Sequence, residues 1–455
     1  MTGREVSFLF EGLRLTAHDG DSIAAALLAG AVRVFGRSSK YHRPRGYRCG
    51  RGHCSACAMR VDGLPGVRTC VTTVRPGMTV EREHAWPSAD VDLLRAADAL
   101  SPAMPPGFYY RRFRRSPRLY GVFERAIAQA AGQGRLPSRQ AAERLAAARC
   151  ERRERLDVLV VGGGVAGLSA ALTAADARAG VLLVEQDDRL GGRLSDGASD
   201  TPVGVDLATR TLAHGRIEVL TGAEAVGWYE EGVVAIDRRP DLLLVRPAAA
   251  VLATGGYDLG LPFAGWDLPG VMLAAGARRL VHRHGVKPGS RAVVLTTDDV
   301  GYDVARELQA AGVEIACVAD CRTPQAIRPE LEAEAAGAGI PIVPSVEGAR
   351  AHGLNGVTAL SLRVAGVGAG RPLRHDCDLV CISAGVRPAD DLSYQASSAG
   401  SLVLSAGDAS GEPGAGRPWL AGLVAGAATA DVAIEQGRTA GSGAARHVRA
   451  ASDPA

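Results

Sequence analysis

Residues 158–170 read VLVVGGGVAGLSA, and the order of residue types in that stretch decides the fold. Four apolar, strand-forming residues run straight into Gly162, Gly164 and Gly167, spaced G-x-G-x-x-G, and a helix of small apolar residues follows at once. The glycines allow the tight turn, close approach to a pyrophosphate and close packing of helix on strand. The N-terminus of the helix then favours the phosphate charge. Working outward, LDVLVVGGG (156–164) is a strand, SAALTAADARAG (169–180) its helix and VLLVEQ (181–186) the next strand, the βαβ rhythm of a doubly wound sheet. Glu185, eighteen residues after Gly167, is placed to accept hydrogen bonds from a ribose 2′-hydroxyl. Its charge disfavours a 2′-phosphate, so the ligand is FAD or NAD.

A second unit of the same kind starts at RAVVLTTD (291–298), continues through YDVARELQAAG (302–312) and reaches VEIACVAD (313–320). It departs from the pattern. Where a nicotinamide-binding loop would carry three glycines, this chain has Thr296, Asp298 and Gly301. Asp298 and Asp299 put negative charge where a pyrophosphate would lie, although Asp320 ends the following strand. A structural or vestigial fold and a working NAD(P)H site are both readings of that loop.

Cys49, Cys54, Cys57 and Cys70 read C-x4-C-x2-C with a fourth Cys after twelve residues, the spacing of plant-type [2Fe–2S] proteins. Three thiolates on the loop CGRGHCSAC can wrap one edge of a cluster, while the fourth arrives across a hairpin. Gly50 and Gly52 permit a backbone close to the inorganic sulfides. Zinc is the alternative occupant of four thiolates, but zinc ribbons show two separated C-x2-C pairs. His53 lies within the loop and is expected to be exposed. Cys150, Cys317, Cys321, Cys377 and Cys381 are expected to be buried as small hydrophobes, and their spacing argues against disulfide reductase chemistry.

The 455 residues are 47% apolar with 57 glycines and 4% aromatics, enough for two or three globular domains. A net charge of +3 is too mild for a nucleic-acid partner. Arginines do cluster at 43–51, 111–115 and 149–155, and are read as solvated or interdomain faces. With no targeting signal at the N-terminus and no apolar run of membrane length, a cytoplasmic protein without a membrane segment is expected. Nine cysteines point to metal or buried thiol roles rather than a disulfide framework. The expected layout is α/β with a small α+β domain. It has a [2Fe–2S] domain at 1–85, a helical connector at 86–155, and a discontinuous FAD-binding Rossmann-like domain at 156–275 and 385–437. An NAD-like domain is inserted at 276–384, and a flexible Gly/Ala-rich tail follows at 438–455. The connector helix is read through RQAAERLAAARCERRERL, and AMRV and VRTCVTTV are joined by a five-residue loop.

Gly191-Gly192-Arg193, Ala253-Thr254-Gly255 and Ala406-Gly407-Asp408, in that order after Glu185, resemble the two-dinucleotide-binding-domain flavoproteins. That resemblance implies FAD, with Asp408 near the flavin's ribityl and pyrophosphate groups and Thr254-Gly255 lining the crossing between domains. The N-terminal stretch resembles a β-grasp, ferredoxin-like domain. SSKYHRPRG before the Cys loop, WPSADVDLLRAADALSPAMPPGFYYRRF after it and TTDDVGYDVARELQAAGVEIACVADCR resemble the α subunit of heterotetrameric sarcosine oxidases. The likeness stops where that subunit would continue into an aminomethyltransferase-like half. The full Cys quartet is similar to the related subunits of amino acid and opine dehydrogenases and of hydrogen cyanide synthase. These resemblances imply a hetero-oligomer in which an amine-oxidase-like flavoprotein subunit oxidises a small amine or amino acid. This chain would relay the electrons through FAD and a [2Fe–2S] cluster. A self-contained NAD(P)H reductase and a non-catalytic nucleotide-binding assembly subunit are the rival readings.

Overall fold

The computed structural model describes residues 4–39, 41–99, 116–130, 136–196, 202–366, 372–397 and 417–452. The chain divides into two units, Met1–Ala142 with Asp258–Gly385, and Glu143–Tyr257 with Val386–Ala455. The mixed α/β class read from the sequence is the class observed.

In the second of these units the strand Cys150–Val161 lies at the centre of the main sheet. It is flanked in parallel by Val181–Glu185 and by Asp241–Leu252, and Ile217–Thr221 extends the sheet beyond Val181–Glu185. Alternate side chains of VLVV enter opposite cores. Val158 and Val160 pack with the Val165–Asp176 helix, whereas Leu159 and Val161 pack with Val234, Ile236 and Leu243. That two-sided burial explains why the strand is apolar throughout rather than alternating. The Ala430–Ser452 helix lies along the Val165–Asp176 helix so closely that a β-carbon on Gly437 or Gly441 would strike the carbonyl oxygen of Ala166 or Ala170. Residues 438–452 are therefore not the flexible tail expected from composition. Their glycines and alanines serve close helix contact.

The expected connector helix is also corrected. It ends at Ala146, and CERRERL opens the strand Cys150–Val161, paired from Leu242↔Cys150 to Leu252↔Val161. Its charged residues resemble a helical surface in sequence, but the ladder to Asp241–Leu252 decides the conformation. GFYYRRF (107–113) lies outside the described residues.

Among its described residues the first unit holds two five-stranded sheets. The N-terminal one has the order Leu13–His18, Glu5–Phe10, Thr79–Glu81, Ala58–Val61, Leu64–Arg68. Glu11 and Gly12 turn the first hairpin with positive φ, as their sequence suggests. The second hairpin is tighter than expected: Val61 faces Leu64, so Asp62-Gly63, both at positive φ, form a two-residue turn. Ser22 caps the Ile23–Ala29 helix by accepting from Ala25 N–H at 3.2 Å. Ile23 and Leu27 of that helix lie in one buried core with Phe8, Met59 and Val80.

The other sheet of this unit is parallel, with the order Val271–Leu273, Leu379–Ser383, Arg291–Thr296, Glu314–Asp320, Ile342–Val343. An antiparallel set, Val346–His352, Ala359–Val364 and Leu373–Asp376, accompanies it. One continuous apolar core joins Phe8, Tyr47 and Met59 to Val294, Val304, Leu308 and Val318. The N-terminal domain and the second dinucleotide-type fold thus share an interior.

Candidate cofactor sites

The turn after Gly46 carries Cys49, Cys54 and Cys57, and Cys70 follows the Leu64–Arg68 strand. Cys49, Cys57 and Cys70 are buried and Cys54 is exposed, as is His53. The four thiols form a chain of contacts: Cys49 with Cys54, Cys49 with Cys70, and Cys70 with Cys57. Hydrogen bonds from Cys54 and Cys70 hold the Cys49 thiol far below the usual range, and one from Cys70 lowers Cys57. The donors Cys54 and Cys70 are raised correspondingly, each first by its hydrogen bond to Cys49.

Among the described residues no three or more His, Cys, Asp or Glu side chains close on one metal ion. The sulfurs instead fall into two outer pairs, 49/54 and 57/70. Gly52 N–H donates to Cys70 Sγ at 3.3 Å, the kind of amide contact that stabilises charge on sulfur. Gly50 and Gly52 both sit at positive φ, which keeps the loop backbone against the thiols. A sulfur-only donor set with an amide donor and a glycine backbone fits a two-iron cluster. Among the other cysteines, Cys317, Cys377 and Cys381 are buried as expected. Cys150 is exposed and Cys321 half-buried, because Cys150 opens its strand and Cys321 follows one.

At the first dinucleotide loop the glycines divide their work. Gly162, at φ +108, presses on the backbone of Ala253, and a β-carbon on Gly167 would collide with Gly162 O; those two serve packing. Gly164 caps the Val165–Asp176 helix without a side-chain cap bond, and the nearest atom to a β-carbon there is Gly192 Cα at 4.0 Å. Open space in front of helix N–H groups is where a phosphate fits. Gly191 N–H donates to Gly163 O at 2.9 Å, which brings the Gly191-Gly192-Arg193 segment onto the same loop. Glu185, buried, accepts from Gly163 N–H at 2.6 Å and from Asp187 N–H at 2.8 Å. Thr254 Oγ1 donates to Ala389 O at 2.6 Å, and Gly255 follows at φ +74. Arg193 is half-buried in the turn Gly192–Asp196. Gly407 and Asp408 lie outside the described residues.

The second loop has the same strand-turn-helix plan and the opposite chemistry. Asp298 Oδ1 accepts from Gly301 N–H at 3.3 Å and from Ser383 Oγ at 2.7 Å, and Oδ2 accepts from Gly385 N–H at 2.7 Å. Three donors around this turn are thus held by the protein's own carboxylate. Asp320, fully buried, is likewise engaged: Tyr302 Oη donates to it at 2.9 Å and Arg322 binds it at 2.8 Å. The sequence exposes Asp298 as a charge. Its partners Ser383 and Gly385 are too distant in the chain for any local signal to show.

Residues 3–85 match the 2Fe-2S iron-sulfur cluster binding domain, and residues 156–437 match pyridine nucleotide-disulphide oxidoreductase. Sarcosine oxidase subunit alpha of Rhizobium meliloti (strain 1021) is 36% identical over 346 residues, 70% of this chain and 34% of its own length. Hydrogen cyanide synthase subunit HcnB of Pseudomonas protegens is 32% identical over 177 residues, 36% of this chain and 38% of its own. The chain therefore spans little more than a third of the length of these curated relatives. Among solved structures, L-proline dehydrogenase from P. horikoshii superposes with a TM-score of 0.66 at 20% identity. The match covers 97% of this chain and 73% of that one, and shows a shared fold. No helix among the described residues is long and apolar enough to cross a membrane.

Proposed function

This chain belongs to the pyridine nucleotide-disulphide oxidoreductase family, and from that premise we propose that it is the iron–sulfur flavoprotein subunit of an amine or amino acid oxidase or dehydrogenase. The observation that carries the reading is the contrast within one chain. Three thiols on a glycine loop are joined by Cys70 from beyond the next hairpin, and one dinucleotide loop stands open at Gly164 while the other is closed by Asp298.

Cys49 with Cys54 and Cys57 with Cys70 would each hold one iron of a [2Fe–2S] cluster. Gly162, Gly164, Gly167, Glu185, Gly192, Arg193, Thr254, Gly255, Gly407 and Asp408 would hold FAD, with NAD as the alternative occupant. Bound flavin supplies the exchange between electron pairs and single electrons. The chain's residues bind and orient: the helix N-terminus at Gly164 receives phosphate, Glu185 receives ribose, and Gly52 N–H steadies a ligand sulfur. The exposed face at His53, Cys54 and Ser55 leaves one edge of the thiol site open to an electron partner. Dehydrogenation of the amine belongs, in this reading, to an amine-oxidase-like flavoprotein partner, and the unpaired cysteines suit a reducing, cytoplasmic compartment.

The test is the visible spectrum, extracted cofactor and iron and sulfide content of the purified chain. It is followed by turnover of sarcosine, proline, opines and glycine with and without the co-expressed partner. Bound FAD, two irons per chain and partner-dependent turnover are expected. Zinc in place of iron in an anaerobic preparation would overturn the cluster, and robust amine turnover by the chain alone would overturn the division of labour. The rival NAD(P)H reductase is disfavoured by the closed second loop; rapid bleaching of the flavin by NADH without amine would restore it.

A further inference from the structure

The loop that carries the first cysteine is built into the second dinucleotide-type fold. Tyr47, 3% exposed, donates its hydroxyl to Gly276 O at 3.1 Å. Gly276 lies in the first turn of the Ala274–His284 helix, which follows the Val271–Leu273 strand of the parallel sheet. The fit is tight from both sides. A β-carbon on Gly276 would come within 2.5 Å of Arg48 O and 3.2 Å of Cys49 C, and one on Gly50 would collide with the Tyr47 hydroxyl.

Leu273 N–H donates to Arg48 O at 3.1 Å. The Arg48 guanidinium lies 4.0 Å from the centroid of the Trp266 ring and also donates to Trp266 O, while Arg45 pairs with Asp267 at 3.6 Å. Cys49 itself packs in the core that contains Val271, Leu273, Val293 and Val380. The tyrosine shares its buried core with Cys57 and Cys70.

We infer that the second dinucleotide-type fold has become the scaffold of the thiol site: Tyr47, clasped to Gly276 and threaded past Gly50, is a positioning residue that fixes Cys49 in place. The inference rests on the cluster reading above. It assigns a task to a fold whose nucleotide loop is closed by Asp298, and that task is to hold the first ligand loop rather than a nicotinamide. The clasp ties Cys49 to the scaffold directly and Cys54 only through it.

The experiment uses the full chain, isolated anaerobically as wild type, Tyr47→Phe, Gly276→Ala and Val304→Ala. The last thins the core of the scaffold fold at a fully buried position, in the same apolar core as Tyr47 but outside the hydrogen bonds and close contacts of the loop. Two quantities are read: the g values of the reduced cluster's paramagnetic signal, and the rate at which iron is lost to bathophenanthroline. Tyr47→Phe and Gly276→Ala should both shift the g values. They should lose iron about tenfold faster, the effect of leaving a buried acceptor unpaired or displacing its donor, whereas Val304→Ala keeps both quantities as in wild type.

If Gly276→Ala does not fold, the near-isosteric Tyr47→Phe decides. Wild-type g values and wild-type iron loss in Tyr47→Phe overturn the clasp while the cluster stands, as does an equal effect of Val304→Ala. A wild-type protein with no iron, no sulfide and no signal removes the cluster reading and the clasp together.

Discussion

The first and second dinucleotide-type loops start from the same plan, a buried parallel strand ending at a turn that opens a helix. At the first, three glycines keep side chains out, and the space in front of Gly164 is bounded at 4.0 Å by another glycine. At the second, Asp298 fills the equivalent position and takes donors from Gly301, Ser383 and Gly385. The difference teaches that a strand-turn-helix unit is a packing device first. Whether it holds an anion from outside depends on who satisfies the N–H groups at its turn.

The largest effect is expected where the first loop is pure packing. In Gly167→Val the new side chain meets the Gly162 carbonyl. About 3 kcal/mol or more of stability should be lost, as for other overpacked cores, and the melting temperature of the purified chain reads it. A variant melting with the wild type would show that this glycine is not needed for contact. Gly164→Val should behave differently, folding normally because its surroundings are open, yet losing dinucleotide by about a hundredfold or more, some 2.7 kcal/mol. Retained nucleotide in that folded variant would erase the distinction between the loops.

At the second loop, Asp298→Ala strips an acceptor from two amides and a hydroxyl. About 2 kcal/mol should disappear from urea unfolding, with no gain of NADH binding by calorimetry beyond weak association. Tight NADH binding by the unmodified chain would break the comparison from the other side. The smallest effect belongs to Glu185→Gln. Of its bonds from Gly163 and Asp187 only one can survive, because the amide nitrogen cannot accept, and adenine dinucleotide should bind about tenfold more weakly while the fold is kept. An unchanged dissociation constant would remove Glu185 from the ribose.

Much of the first loop was legible because its determinants are adjacent in sequence: the apolar run, the three glycines and the acid closing the next strand. The cysteine quartet was legible for the same reason, with spacing alone bringing three thiols onto one turn. Legibility failed where the partner is remote. CERRERL looked helical because its charges fit an exposed helix face, and only the ladder to Leu242–Leu252 makes it a strand. Residues 438–452 looked unstructured because glycine and alanine dominate, and only Ala166 and Ala170 explain why small residues are wanted there. The second loop fell between these cases. Its missing glycines were plain, but the capture of nearby donors by Asp298 depends on Ser383 and Gly385.

The pairing of Gly437 and Gly441 with Ala166 and Ala170 also governs the order of assembly. The Val165–Asp176 helix is buried on nearly every side, yet its companion helix begins only at Ala430, after the entire 258–385 segment has been made. Contacts separated by so much chain form late and close a large loop in entropy as well as in space. During synthesis the Val158–Glu185 unit must therefore wait with an apolar helix face uncovered. The intervening segment can fold meanwhile as part of its own unit. A nucleotide arriving early would meet an incomplete site, and chaperone demand on this protein should concentrate in the interval between residues 185 and 430.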